Sequence, residues 1–234
     1  MTAGIDRAPR ARPMTPGDLW GWGRFGDEQL LPLSFDDIRR DAMAARAGLR
    51  SLALPSDAKV VVVSTVSEFG HFWPVLQAAH DLGYVTSTAD ATPYDAGRTE
   101  MFCRLLAPSA VIGVDDAVLD GLEASGLDPG SVFAGVARVV ARGQAVNRLR
   151  DVGVGALRWV ALGPSTAMDC RHGHLHYDRR QWRVESERGR LVLSSMMGRA
   201  YPVDHLDTGL RGTVSARACP CTRSDPTLEL AVPT

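Results

Sequence analysis

The chain has 234 residues, of which 45% are hydrophobic and 23% charged, and its formal net charge is −1. This composition is that of an ordinary globular protein with one substantial domain, and the near-zero charge indicates neither a nucleic-acid partner nor an anionic membrane. No stretch approaches the roughly 18 apolar residues that span a bilayer, and the first residues lack the apolar core of a secretory signal. We therefore expect a cytoplasmic protein with no nucleic-acid and no membrane partner.

Residues 1–33 are predicted to form an N-terminal arm followed by an aromatic loop. Residues 1–17 are rich in Pro, Arg, Ala and Gly, a composition typical of a loose arm. The following segment places Trp20, Trp22 and Phe25 among glycines. This loop either caps the core with its aromatic rings or forms a lid over a pocket or a dimer contact.

Residues 34–168 are predicted to form an α/β unit. Ser34 is a suitable N-cap and Asp37 nearly completes a capping box, which predicts a helix over 34–52. The run KVVVV from Lys59 is typical of a strand buried on both faces. Predicted helices then alternate with strands, which indicates a parallel sheet flanked by helices. The predicted strands are 59–64, 84–88, 110–114, 136–141 and 156–162.

The pattern changes after Gly173. The segments LHYD, QWRVE, GRLVLSS and GTVSAR are short, alternate in polarity and are joined by turns. They predict a small antiparallel β-subdomain over 169–225, followed by a loosely held tail over 226–234. The predicted fold class is α/β, with a helix-flanked parallel sheet and an appended antiparallel β-subdomain.

The most specific chemical signal is a set of three thiols and one imidazole: Cys170, His176, Cys219 and Cys221. Such a set suits a closed tetrahedral zinc site, and four protein ligands leave no open position, so this zinc would be structural. The spacing is not that of a standard zinc finger, so the residues alone also allow unrelated buried thiols and a surface histidine. Cys103, in TEMFCRLLA on a predicted helix, fits the description of an inert buried thiol.

Five segments carry recognisable motifs in a fixed order. They are VARGQAVNRLRDVG (140–153), LGPST (162–166), AMDCRHGHLHYD (167–178), RVESERGRLVLSSMMGRAYPVDHLDTGLRG (183–212) and CPCTRSDPTLEL (219–230). Together they make residues 34–230 resemble the phenylacetate–CoA ligase branch of the adenylate-forming (acyl/aryl-CoA ligase) superfamily. The resemblance implies a partial adenylate-forming N-terminal domain without the C-terminal lysine domain. It also implies that the Cys3His set holds a metal, as its equivalents do in several members of that branch.

The chain departs from this family where the family handles ATP. Thr166, Leu210 and Gln144 stand where the family's "YGxTE", "TGD" and "GGE" motifs have acids. The family's phosphate loop has no counterpart before Leu33, and the only lysine is Lys59. Because triphosphate chemistry needs magnesium ligands and cations on the phosphates, we expect that this chain does not make acyl-adenylates alone.

A binding pocket is expected at the carboxyl ends of the parallel strands, where open α/β sheets bind ligands. The segments STVSEFGHFWP, ARGQ and LGPSTAM are predicted to be loops that follow strands, and in the resembled family these loops line the pockets for the acid and the nucleotide base. The predicted substrate-binding residues are Phe69, His71, Phe72, Trp73, Gly143, Gln144, Gly163, Pro164 and Ser165. From the residues alone, Phe72 and Trp73 could instead be core and His71 a surface residue.

Three hypotheses about function follow. The chain is a zinc-containing, non-adenylating relative of CoA ligases that binds an aryl or acyl acid or thioester, as an auxiliary enzyme of a biosynthetic pathway. Alternatively, it is a non-catalytic partner, such as one half of a split ligase or a homo-oligomeric binding module. The third hypothesis is an acid–CoA ligase that another chain completes. The sequence contains no nucleophile elbow of the G-x-S-x-G type that would indicate a hydrolase.

Overall fold

The structure, a computed structural model, describes residues 16–25, 29–221 and 223–231. The helices are α1 (Phe35–Ser51), α2 (Phe69–Asp81), α3 (Ala96–Leu106), α4 (Asp116–Ala124), α5 (Pro129–Phe133) and α6 (Ala145–Asp151). Short 3-10 helices lie at Pro16–Asp18 and Val66–Glu68. None of the helices in this part of the chain combines the length and the apolar character needed to cross a bilayer.

Two sheets are present within the described residues. β1 (Leu19–Phe25) and β2 (Gln29–Ser34) form an antiparallel hairpin. The large sheet has the order β10-β11-β12-β13-β9-β8-β7-β6-β5-β3-β4. Its strands are β3 (Lys59–Val63), β4 (Val85–Ala89), β5 (Ala110–Val114), β6 (Arg138–Ala141), β7 (Leu157–Leu162), β8 (Ser165–Asp169), β9 (Leu175–Tyr177), β10 (Trp182–Glu187), β11 (Arg190–Ser195), β12 (Leu206–Ser215) and β13 (Thr227–Leu230).

The parallel half of the large sheet comprises β3 to β7 and is covered by helices on both faces. Successive valines of β3 point to opposite faces, so Val61 and Val63 pack with α3 to α6 while Val60 and Val62 pack with α1 and α2. Gly113 lets β5 approach β3 closely, because a Cβ at this position would lie 2.1 Å from the Val63 carbonyl oxygen. The predicted helix-flanked parallel sheet is confirmed.

Helix α1 begins as the sequence predicts. The Ser34 side chain accepts a hydrogen bond from the Asp37 amide, and the Asp37 carboxylate accepts one from the Ser34 amide. Burial works to raise the pKa of Asp37, but the nearby Arg199 and these hydrogen bonds outweigh it and lower that pKa. Arg199 also pairs with Asp41 at 2.7 Å, so α1 is tied to the connection between β11 and β12.

The antiparallel half, β8 to β13, continues the parallel half rather than forming a separate layer. The two halves meet at the β7–β8 hairpin, whose two-residue turn is Gly163–Pro164, and Gly163 has a φ of +66°. The predicted boundary at 168/169 therefore falls inside β8. The prediction that LGPSTAM (162–168) is a connecting loop is wrong for Ser165 to Met168, which belong to β8. The alternating run STAMD is too short to stand out beside the turn residues Gly163 and Pro164.

Two other predictions from the sequence need correction. The predicted tail contains β13, which pairs with β12 on one side and β9 on the other. Its run TLEL alternates, and Leu228 is buried in the antiparallel half. The predicted aromatic loop is the β1–β2 hairpin, in which Phe25 and Leu33 are buried and Trp22 is exposed. Most of the predicted arm lies outside the described residues.

Candidate metal centre and binding surfaces

The four predicted metal ligands meet between two segments of the antiparallel half. Cys170 opens the β8–β9 turn, and His176 lies in β9. Cys219 and Cys221 come from the connection between β12 and β13. Because β13 pairs directly with β9, with Thr227 opposite His176, the register of the sheet brings the second pair against the first.

The spacing of the ligand atoms fits a tetrahedral ion. The sulfurs of Cys170 and Cys219 are 3.6 Å apart, and Cys221 Sγ is 3.4 Å from His176 Nε2. All four ligand atoms lie within 4.8 Å of one another. With Zn–S near ~2.3 Å and Zn–N near ~2.0 Å, the edges of an ideal tetrahedron are about 3.8 Å between sulfurs and about 3.5 Å between sulfur and nitrogen. The set therefore surrounds a space of the size of a zinc ion.

The surrounding hydrogen bonds orient these ligands. His176 Nδ1 lies 3.0 Å from the Asp225 carbonyl oxygen, so it carries the proton and leaves the Nε2 lone pair for a metal. Arg223 holds the Asp225 side chain at 3.0 Å. Arg158 donates hydrogen bonds to both carboxylate oxygens of the fully buried Asp169. Asp169 directly precedes the ligand Cys170 in the chain.

The protonation chemistry also fits a divalent cation. Burial raises the pKa of Cys219 to about 11, so its thiolate needs a strong positive charge to form at neutral pH. Burial lowers the pKa of His176, which favours the neutral imidazole that binds metals. None of the cysteines in the described part of the chain forms a disulfide, and Cys170 is fully buried. Cys103 lies apart on α3, where burial raises the pKa of its thiol to about 12.

His71 and Phe72, two of the predicted pocket residues, are packed in the interior. Phe72 is 1% exposed and stacks on Trp159 with the ring centroids 4.9 Å apart. His71 packs edge-on against Phe25 and Trp159, and its Nε2 is 2.8 Å from the Gly163 carbonyl oxygen. Burial lowers the pKa of His71 to about 4, so the imidazole is neutral and Nε2–H donates to Gly163.

Phe69 and Trp73 lie on the surface at the start of α2 and are 43% and 38% exposed. Trp20 from the hairpin stacks on Phe69 at 4.9 Å and contacts Trp73 at 6.4 Å. Trp20 and Trp73 of this aromatic cluster line a groove of about 560 Å³ between α1, α2 and the edge strand β4. The groove is lined by Trp20, Phe35, Ile38, Arg39, Trp73, Leu76, Gln77, His80, Thr86, Ser87 and Thr88.

Helical periodicity explains the walls of this groove. Trp73, Leu76, Gln77 and His80 are spaced i, i+3, i+4 and i+7, which places them on one face of α2. His80 Nε2 is 2.7 Å from Thr86 Oγ1. Arg39 pairs through Nη1 with Asp36 at 2.8 Å on the exposed face of α1. The groove is therefore lined by both aromatic and polar side chains.

Pro164 and Ser165 face a different and much smaller space. They line a cavity of about 30 Å³ together with His71, Asp41 and other residues of α1 and α2. This volume holds one water molecule rather than an organic ligand. Gly163 takes part through its carbonyl group, which accepts from His71.

Gly143 and Gln144 lie at a third place, beside the start of α4. The Gln144 amide donates to an Asp116 carboxylate oxygen at 3.1 Å, and a Cβ on Gly143 would lie 3.1 Å from the same oxygen. The predicted substrate-binding residues are thus divided among a groove, a small cavity, the core and this turn. The structure does not bring them together around one cavity.

Sequence reasoning missed a charged cluster at the carboxyl edge of the parallel strands. Arg142, which follows β6, bonds both Glu68 and Asp115, which follow β3 and β5, and its guanidinium carbon lies 5.5 Å from the centre of the Phe72 ring. Burial works to raise the pKa of Glu68, but the hydrogen bond and charge of Arg142 outweigh it and lower that pKa. The available signal was the position of Asp115 and Arg142 directly after the buried strands β5 and β6.

No family model and no curated protein matches this sequence. Solved structures do match. A 2-hydroxyisobutyryl-CoA ligase in complex with 2-HIB-AMP and CoA superposes with a TM-score of 0.73 at 14% identity, over 92% of this chain and 57% of the ligase. The amide bond synthetase McbA from Marinactinospora thermotolerans gives 0.58 at 13% identity, over 91% and 49%. Mycobacterium smegmatis MbtA gives 0.59 at 12% identity, over 96% and 48%.

These matches define the class of fold. The chain has the fold of part of these enzymes, which confirms the fold that the resemblance implied. It spans about half the length of the solved structures it matches. At 12–14% identity the likeness concerns the fold alone, so the metal centre and the groove have to be argued from this chain's own residues.

Proposed function

We propose that this chain is a zinc-containing, ligase-like protein that binds an aryl or acyl acid or thioester and does not form an acyl-adenylate by itself. It would serve as an auxiliary or repurposed enzyme of a cytoplasmic biosynthetic pathway. The single observation that carries the binding function is the groove beside Trp73, because Trp73 is a predicted pocket residue and lines a space of ligand size.

The chemistry of the groove suits an amphiphilic ligand. The rings of Trp20, Trp73 and Phe35 offer area for burying an aromatic or acyl group. Arg39 and His80 offer donors for a carboxylate or a thioester carbonyl. His71 and Ser165 act behind this surface, by packing and hydrogen bonding, rather than by direct contact with the ligand.

Zinc would be held by Cys170, His176, Cys219 and Cys221, and it would supply a structural cross-link. Four protein ligands fill a tetrahedral site, so no position remains for substrate or water. The cross-link would fix the connection between β12 and β13 onto the β8–β9 hairpin. It would thereby hold β13 in register between β12 and β9.

The loss of ATP chemistry is supported at the three substituted positions. Thr166 lies in β8 opposite Ala161, and Leu210 packs against the antiparallel core. Gln144 contacts Asp116 through its backbone amide. None of the three side chains supplies a carboxylate for magnesium or ribose.

Two assays separate this proposal from the ligase hypotheses. Purified chain is mixed with ATP, magnesium, labelled pyrophosphate and a panel of aryl and medium-chain acids, and we expect no exchange above background. A thermal-shift screen with the same acids and their thioesters should show stabilisation by at least one of them. Robust exchange by the pure chain would overturn the non-adenylating assignment, and no shift with any compound would overturn the binding function.

A partner role is a second candidate, favoured by the exposed apolar side chains of Trp22, Leu30 and Val85. In that case the chain would be one part of a split ligase or a homo-oligomer. Native mass spectrometry of the purified chain measures self-association directly. Pyrophosphate exchange that appears only after a second protein is added would identify the split ligase.

A further inference from the structure

The metal centre has a fifth polar group that the four-ligand description leaves out. His174 lies in the β8–β9 turn between Cys170 and His176, and its Nδ1 is 3.0 Å from Cys219 Sγ. The imidazole is exposed, whereas the sulfur it contacts is buried. His174 therefore stands between solvent and one thiol of the cluster.

The backbone of the turn fixes this contact. The Cys170 amide donates to the His174 carbonyl at 2.9 Å, and the Gly173 amide donates to the Cys170 carbonyl at 2.8 Å. Gly173 adopts a φ of +77°, which an L side chain rarely takes. The hydrogen bonds of this turn to the Cys170 backbone thus hold the His174 ring beside Cys219.

Cys219 lies close to a second sulfur of the cluster. Its sulfur lies 3.6 Å from Cys170 Sγ, so two thiolates would share one ion at close range. It accepts a hydrogen bond from the Cys221 backbone amide. A second N–H donor would spread the charge of this thiolate further and make the sulfur a weaker nucleophile.

We infer that His174 donates its Nδ1–H to the Cys219 thiolate and acts as a positioning residue of the metal centre, retaining zinc and shielding this sulfur from electrophiles. The inference rests on the proposed zinc site and deepens it. Groups that hydrogen-bond to metal ligands typically change metal affinity by about 10–100-fold when they are removed. His174 would do so from the surface, where substitution does not disturb the core.

The chain offers a matched set of variants. His174→Ala removes the donor. His174→Asn places an amide N–H close to where Nδ1 stands, whereas His174→Gln places it one bond further out. His172→Ala is the control, because His172 is an exposed histidine of the same turn that accepts from Arg171 Nε and contacts no ligand of the cluster.

The test measures zinc affinity by chelator competition and zinc release during treatment with iodoacetamide, on full-length protein. We expect His174→Ala to weaken zinc binding about 10-fold or more and to release zinc faster, with His174→Asn and His172→Ala near wild type.

If wild type binds zinc and His174→Ala matches it in both measurements, the inference is wrong while the zinc site stands. If His174→Asn fails as badly as His174→Ala, the imidazole is needed as a ligand and the donor role is wrong. If wild type binds no zinc, the proposed metal site and the inference fall together.

Discussion

The metal centre and the aromatic groove lie in opposite halves of one sheet. They differ in how far their side chains are buried and paired within the protein. In the antiparallel half, each proposed ligand is buried and the neighbouring charges are paired, as Arg158 is with Asp169. In the parallel half, Trp73 and Phe69 remain partly exposed beside an open groove. A closed site with satisfied partners stabilises the fold, whereas an open aromatic surface is available for binding.

This comparison predicts that disturbing the metal centre should have the largest effect on stability. Cys219→Ser removes one ligand, and zinc-dependent folding energy is lost with the ion. We expect near-stoichiometric zinc in the wild type, little in the variant, and a loss of about 4 kcal/mol, which corresponds to a melting temperature lower by roughly 8–16 °C for a chain of this size. Metal analysis and calorimetry measure both.

Cys103→Ser is the control for that experiment, because Cys103 lies on α3 away from the cluster. It should leave the zinc content unchanged. If the wild type contains almost no zinc and chelators do not alter its melting temperature, the proposed metal site is wrong.

The second prediction contrasts two phenylalanines near the start of α2. Phe72→Ala deletes a buried ring between Trp159 and Arg142 and should cost about 3–5 kcal/mol of unfolding free energy. Phe69→Ala deletes a half-exposed ring and should cost about 1 kcal/mol or less. Denaturant unfolding of both variants gives the comparison, and equal losses would mean that the aromatic surface also serves the core.

The predictability of the two regions differs for a physical reason. The metal set could be found from the sequence because few arrangements of three thiols and an imidazole make chemical sense, and the motif order of a known family supported it. The buried valine run of β3 was equally clear, because it allows little but a central strand.

The pocket could not be predicted in the same way, because Phe69 to Trp73 begin the helix α2, whose side chains point to different sides. Residues two apart in a helix point in nearly opposite directions, so Phe69 and His71 cannot face one cavity. Arg39 and His80 complete the groove from positions that are distant in sequence, and only the packing of α1 beside α2 reveals them. Similarly, β13 needs its partners β9 and β12 to be recognised as an internal strand.

The third prediction tests whether His71 belongs to the core through its pH dependence. Its pKa in the folded state is about 4, below the 6.5 of the free side chain, so the unfolded state binds the proton first. Stability from this residue is complete above pH 6.5 and is lost as the pH falls towards 4. Between pH 7.5 and pH 5 we expect a loss of roughly 2 kcal/mol from this group.

His71→Gln is the matched variant, because the amide can still donate to Gly163 but does not titrate. The difference between wild type and variant isolates His71 from other groups that titrate in this range. Parallel pH profiles in denaturant unfolding would show that the imidazole is not buried in a neutral form.

The smallest effect on stability and the most direct test of the groove come from Trp73→Ala. Trp73 is 38% exposed, so its loss should cost about 1 kcal/mol or less of unfolding free energy. Its ring would nevertheless cover the apolar part of a bound acid or thioester, and we expect an affinity about 10-fold weaker, as an aromatic contact of 1–2 kcal/mol implies. Titration calorimetry with the compound that gives the largest thermal shift measures this change.

Trp22→Ala is the control, since Trp22 is 63% exposed on β1 and does not line the groove. Equal affinities of the two variants and the wild type would place the ligand elsewhere and leave the aromatic surface as a contact for another protein.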